Sequence, residues 1–128
     1  MGKKYLIDSN VVIDYLRGSL PVSGMAFMDG VINDIPKVPI VTKIEVLGFH
    51  TTPEASKLLT DFFEDALVFP LSDEVVEKTI ELRKHFKIKL PDAIIAATAL
   101  VYNLTLVTRN VADFQHITGL TYSDAHQQ

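Results

Sequence analysis

Cysteine is absent from this chain of 128 residues, which excludes disulfides, thiolate metal ligands and a cysteine nucleophile. Also missing is any apolar run near the roughly 20 residues that a membrane span requires. The longest, Ala93 to Tyr102, is broken by Thr98. The segment Met1-Gly2-Lys3-Lys4-Tyr5-Leu6-Ile7-Asp8 carries basic residues but no extended apolar region or small-residue cleavage site, so no export signal is expected. Leu6 stands where a myristoylation signal carries Ser or Thr, which removes Gly2 as a lipid anchor. The expected location is cytoplasmic, with no membrane partner. Positive charge is in short supply as well. Twelve Lys and Arg against 16 Asp and Glu give a net charge of −4, which speaks against an extended basic surface that grips nucleic acid by counterion release. A local basic patch stays open.

Hydrophobic residues make up 48% and charged residues 22%, a globular balance with no low-complexity tract. The length fits one domain over residues 1–128. Along it, short β-prone runs alternate with helical patterns. Lys4 to Ile7 reads as a strand, and Asp8-Ser9-Asn10 caps a helix from Val11 to Arg17. Met25 to Ile32 is helical; Val38 to Val41 is a strand, and Thr42 starts the helix that contains Glu45. Pro53 to Ala66 repeats its apolar residues at helical spacing. Leu67 to Leu71 is a strand, Ser72 caps a helix that runs to Phe86, and Pro91 opens another over Asp92 to Asn103. Leu104 to Thr108 is a strand, and Ile117 to Tyr122 supplies a last edge strand. This alternation predicts an α/β fold with a mostly parallel central sheet of four to five strands and helices on both faces.

Four acids sit where strands hand over to helices or turns: Asp8, Glu45, Asp92 and Asp113. Each has a local explanation. Asp8 suits a helix N-cap, and Thr42-Lys43-Ile44-Glu45 fits a reciprocal capping box. Asp92 suits the positive end of a helix dipole, and Asp113 an ordinary turn. Together they carry more. Asp8, Glu45 and Asp113 each follow a separate strand, which places them at the carboxyl edge of a parallel sheet, where such folds bind ligands. Asp92 opens a helix with an apolar run, Ala93-Ile94-Ile95-Ala96-Ala97, and reaches the same edge if that helix packs beside the first strand.

Carboxylates at close range repel one another unless a cation compensates. Oxygen ligands without Cys or clustered His favour Mg2+ or Mn2+ over zinc, and such a cation suits hydrolysis of a phosphate ester. Thr108 and Asn110, and Ser9 and Asn10, can support the acids by hydrogen bonds or simply form turns and caps. Arg109, beside the edge, is a candidate for substrate phosphates. Lys43, Lys87 and Lys89 are further candidates, the last two within a basic segment, Arg83 to Lys89, that also reads as a solvated helix end. His50, His85, His116 and His126 lie far apart and show no metal-ligand spacing.

Four segments resemble, in order, the signature segments of PIN-domain ribonucleases: Tyr5-Leu6-Ile7-Asp8-Ser9-Asn10-Val11, Thr42-Lys43-Ile44-Glu45-Val46, Pro91-Asp92-Ala93-Ile94-Ile95-Ala96-Ala97 and Thr108-Arg109-Asn110-Val111-Ala112-Asp113-Phe114. The small format is most similar to the VapC toxins of prokaryotic toxin–antitoxin pairs. The resemblance implies a PIN-like domain and an endoribonuclease dependent on Mg2+ or Mn2+, in which Asp8, Glu45, Asp92 and Asp113 hold the metal and position the attacking water. Thr108 would support the acidic site, with Asn110 nearby. It further implies cleavage to a 5′-phosphate and a 3′-hydroxyl, a homodimer, and an inhibitory antitoxin that meets the helices Val11 to Arg17, Met25 to Ile32 and Pro53 to Ala66. No nucleotide cofactor is expected. Two other readings compete: a PIN-like module that binds RNA or protein without cutting, and an aspartyl-phosphate phosphatase with Asp8 as nucleophile. The phosphatase reading is weakened by Asn10, which stands where such enzymes usually carry a second acid.

Overall fold

The computed structural model describes residues 3–128; Gly2, considered above as a lipid anchor, lies outside them. In chain order the elements are β1 (Tyr5–Ile7), α1 (Ser9–Leu16), α2 (Val22–Ile32), β2 (Lys37–Pro39), α3 (Ile40–Leu47) and α4 (Pro53–Asp65). They continue with β3 (Leu67–Phe69), α5 (Asp73–His85), α6 (Leu90–Val101), β4 (Thr105–Val107), α7 (Val111–Phe114) and β5 (Tyr122–Ser123), and a 3-10 turn follows at Ala125–Gln127. The five strands form one sheet in the order β3-β2-β1-β4-β5, and every pairing is parallel. All carboxyl ends therefore share one edge. The order reverses between β1 and β4, which makes the crevice above that pair the switch point of the sheet.

Side chains alternate across each strand, and the core divides accordingly. Leu6 and Leu106 face α5, α6 and α7, where Val75, Leu82, Ile95, Ala96, Ala99 and Phe114 are buried. Ile7, Val38 and Val107 face the other layer, with Val11 and Val12 of α1, Met28 of α2, Val46 of α3, and Leu59 and Phe63 of α4. The alanines of α6 let it lie close to the sheet. Ala93, Ala96 and Ala97 are wholly buried, so the amino end of α6, with Asp92 in its first turn, is delivered to the shared edge. Among the described residues no helix is long and apolar enough to cross a membrane.

Several boundaries shift by a few residues from the sequence expectation, and at β2 and β5 the physical reason is plain. The second strand stops at Pro39, and Ile40 and Val41 begin α3 instead of extending β2. Proline has no N–H to donate to a ladder, and Val41 gains burial in the core from the helix, which overrides β-branched propensity. The last strand is Tyr122–Ser123, not Ile117 to Tyr122. Ile117 and Leu120 turn into the core, and Gly119, between the two, takes a left-handed φ of 84°, a conformation that suits glycine.

Candidate metal-dependent active site

Asp8 follows β1 directly and is buried. Its Oδ1 accepts from the Ser9 backbone N–H at 2.7 Å, the N-cap arrangement expected from the sequence. Its Oδ2 accepts from Thr108 Oγ1 at 2.9 Å, and the same Thr108 oxygen accepts from the Asn110 backbone N–H at 3.0 Å. Thr108 is wholly buried and follows β4, so a hydroxyl at the switch point fixes the carboxylate of the neighbouring strand.

Glu45 is held from the other side. Ser9 Oγ donates to Glu45 Oε1 at 2.6 Å and lies 3.4 Å from Thr42 Oγ1. The capping box expected for Thr42 and Glu45 is not formed. Because α3 starts at Ile40, Thr42 falls within its first turn, and the helix has no side-chain cap. Thr42 is instead fully buried, its hydroxyl 3.4 Å from the Ile7 carbonyl. Glu45 is thereby released from helix capping and turned toward Ser9.

Asp8, Glu45, Asp92 and Asp113 all line one open cavity of about 410 Å³. Ser9, Asn10, Asn110, Lys89 and Pro91 line it too, as do Ile13 and Phe49, which the sequence did not single out. Lys43 is not part of its lining, and neither is Arg109. Arg109, expected to meet substrate phosphates, places its Nη1 3.0 Å from Asp14 Oδ2, a pairing that ties the turn after β4 to α1. Asp14 is a buried acid. Its signal in the sequence is one charge inside the apolar stretch Val11-Val12-Ile13-Asp14-Tyr15-Leu16, where burial requires a partner. Lys87 lines a neighbouring cavity that shares Lys89, Asp92 and Asp113 with this one.

The electrostatics register the convergence. Burial pushes the Asp8 carboxyl above its ordinary value, the Thr108 and Ser9 hydrogen bonds pull it back, and the charges of Asp92 and Glu45 raise it further. Asp92 is also raised, first by burial and then by Asp113 and Glu45, with Lys89 opposing. The acids thus feel one another across the cavity. Among the described residues no three Asp, Glu or His side chains stand close enough to form a closed metal cage. Donor chemistry nevertheless fits a hard cation: oxygen ligands only, mutual repulsion, and an open mouth to solvent.

The fold is a parallel α/β sheet with carboxylates along one edge, and the sequence profile of the PIN domain family matches residues 5–120. The chain belongs to the PIN domain family. Solved structures agree. A toxin–antitoxin complex from Klebsiella pneumoniae is similar at 27% identity and a TM-score of 0.76, covering 91% of this chain and 95% of that one. VapBC-1 from nontypeable Haemophilus influenzae is similar at 25% identity and a TM-score of 0.76, over 94% and 97% of the two chains. DNA-bound VapBC from Salmonella typhimurium shares the fold at 21% identity and a TM-score of 0.78, over 97% and 99%. A comparison with curated proteins finds no match.

Proposed function

We propose that this protein is an endoribonuclease dependent on Mg2+ or Mn2+, and the toxin of a toxin–antitoxin pair. The observation that carries the reading is the meeting of Asp8, Glu45, Asp92 and Asp113 on one cavity at the carboxyl edge of the sheet. Family membership and the toxin–antitoxin neighbours support it. The four acids would hold the cation, which supplies charge compensation at the phosphodiester and makes the attacking water more acidic. Thr108 holds Asp8 in one orientation, and Ser9 does the same for Glu45. Hydrolysis in this sense leaves a 5′-phosphate and a 3′-hydroxyl.

The inhibitory partner would be a cognate antitoxin. An apolar cavity of about 390 Å³ between α1 and α4, lined by Ile13, Leu16, Phe49 and Leu58, borders the acidic one and shares Ile13 and Phe49 with it. A segment seated there would lie next to the acids and could block them. The working form would be a homodimer, which light scattering checks directly.

Purified protein free of any partner, incubated with total RNA and Mn2+ or Mg2+, should produce discrete fragments, and chelator should abolish them. Asp8→Asn and Asp92→Asn should each slow cleavage roughly 100-fold or more, as expected when several kcal/mol of transition-state charge stabilisation are lost. Folded variants that cut as fast as the parent would remove the acids from the chemistry. The open arrangement of the acids favours one other reading, a module that binds RNA without cutting. Binding without any cleavage in either metal would select it.

A further inference from the structure

The acidic cavity continues into a larger one of about 550 Å³, and the two have Lys89, Asp92 and Asp113 in common as a shared wall. Beyond that wall the chemistry changes sign. Arg83, from the last turn of α5, and Lys87 line the second cavity, with His116 beyond α7. The connection from α5 to α6 is extended at both Phe86 and Lys89. Side chains alternate along extended backbone, and here Phe86 and Ile88 pack against the core, while Lys87 and Lys89 remain exposed.

Among the described residues other cations, such as Lys4, Arg17, Lys43 and Lys84, also lack an ion pair, but Arg83, Lys87 and Lys89 line the cavity that adjoins the acids. Lys57 is paired with Asp61, Lys78 with Glu81, and Arg109 with Asp14. Arg83, Lys87 and Lys89 have no ion-pair partner among the described residues. In a chain with a net charge of −4, three unpaired cations around one trough form a local basic patch. His116 adds an aromatic edge, its ring T-shaped against Phe86 at 5.6 Å. Unpaired cations that track a backbone, beside a ring on which a base can rest, suit single-stranded nucleic acid.

We infer that this trough is the subsite for the RNA strand on one side of the cut, with Arg83, Lys87 and Lys89 on its phosphates and His116 against a base. The inference rests on the ribonuclease reading for the position of the cut but not for the binding itself. Arg83 and Lys87 are the positions to test, because they lie outside the acidic cavity and are exposed.

The experiment is a salt series of fluorescence-anisotropy titrations with a labelled single-stranded oligoribonucleotide, with Ca2+ in place of Mg2+ or Mn2+. It compares the parent, the double variant Arg83→Gln/Lys87→Gln, and a charge-matched control, Lys57→Gln/Lys78→Gln. Loss of two phosphate contacts should reduce the slope of log K against log salt by about 1.4 and weaken binding about tenfold near physiological salt. The control should follow the parent. An affinity and slope unchanged in the trough variant, or lost equally in the control, would overturn the inference. Cleavage by the parent in Mn2+, measured in parallel, keeps the two ideas apart. Cleavage with an unaltered trough variant sinks the subsite and spares the nuclease, whereas trough-dependent binding with no cleavage does the reverse.

Discussion

Thr108 shows how much of the site hangs on one hydroxyl. It is wholly buried, donates to Asp8 Oδ2 and accepts the Asn110 N–H, so a single oxygen joins the turn after β4 to the carboxylate after β1. Thr108→Val keeps the shape and removes the oxygen. The Asp8 carboxylate then loses a donor and the Asn110 N–H an acceptor, each costing about 1–3 kcal/mol if it stays dry. Urea denaturation should record a loss of that order for Thr108→Val, and a markedly smaller one for Thr108→Ser, which keeps the hydroxyl. Equal stability of the valine variant and the parent would mean that solvent already serves both groups. The same substitution takes away a contact that lowers the Asp8 pKa, so its carboxyl should shift further upward.

Between elements, the first two helices are joined by a phenol. Tyr15 of α1 donates to Asp29 Oδ1 of α2 at 2.5 Å, and this hydrogen bond, with a lesser contribution from burial, pushes its pKa up to about 12. The folded value lies above the unfolded one of 10.0, so the stabilisation is fully present below pH 10 and is lost as pH rises through about 12. Of the four tyrosines, one should titrate near pH 12 by tyrosinate absorbance, and Tyr15→Phe should delete that step. A step of the same size that persists in Tyr15→Phe would place the perturbed phenol elsewhere.

That contact was invisible in the sequence, because nothing in the apolar stretch of α1 names Asp29 as a partner. Local signals read well where the side chain acts locally. Asp8 and Ser72 cap α1 and α5 as their residue types predict, and Pro91 sits in the first turn of α6. The carboxyl-edge placement of Asp8, Glu45 and Asp113 was legible because parallel strands share an edge, and the alanine-rich face of α6 explains how Asp92 joins them. What failed were local rules overridden by packing. Thr42 looks like a cap but is consumed by the core, and Arg109 answers the buried charge of Asp14, a pairing no local rule predicts. Both contacts were missed for one reason: long-range partners, separated by 35 residues for Thr42 and Ile7 and by 95 for Arg109 and Asp14, leave no periodic trace.

At the scale of the whole molecule, the acidic edge sets a conflict between folding and charge. Asp8 and Asp92 are raised above the ordinary value of 3.8, in each case chiefly by burial and then by neighbouring carboxylates. The unfolded chain releases these protons near 3.8, so above that pH the folded state holds more protons than the unfolded one. Stability is therefore fully present below the unfolded value and declines as pH rises through the raised ones. A divalent cation reverses the trend, since it binds the ionised carboxylates and their supply grows with pH. At a free concentration of 100 times Kd it should add about 2.7 kcal/mol, roughly 10 °C in Tm for a domain of this size. Thermal denaturation at pH 5 and pH 8, with Mn2+ or with chelator, should show a larger metal increment at pH 8. In Asp92→Asn the chelated protein should melt higher than the parent at pH 8, because one repelling charge is gone, while most of the metal increment disappears. Equal increments at both pH values, unchanged in Asp92→Asn, would put any bound cation somewhere other than this edge.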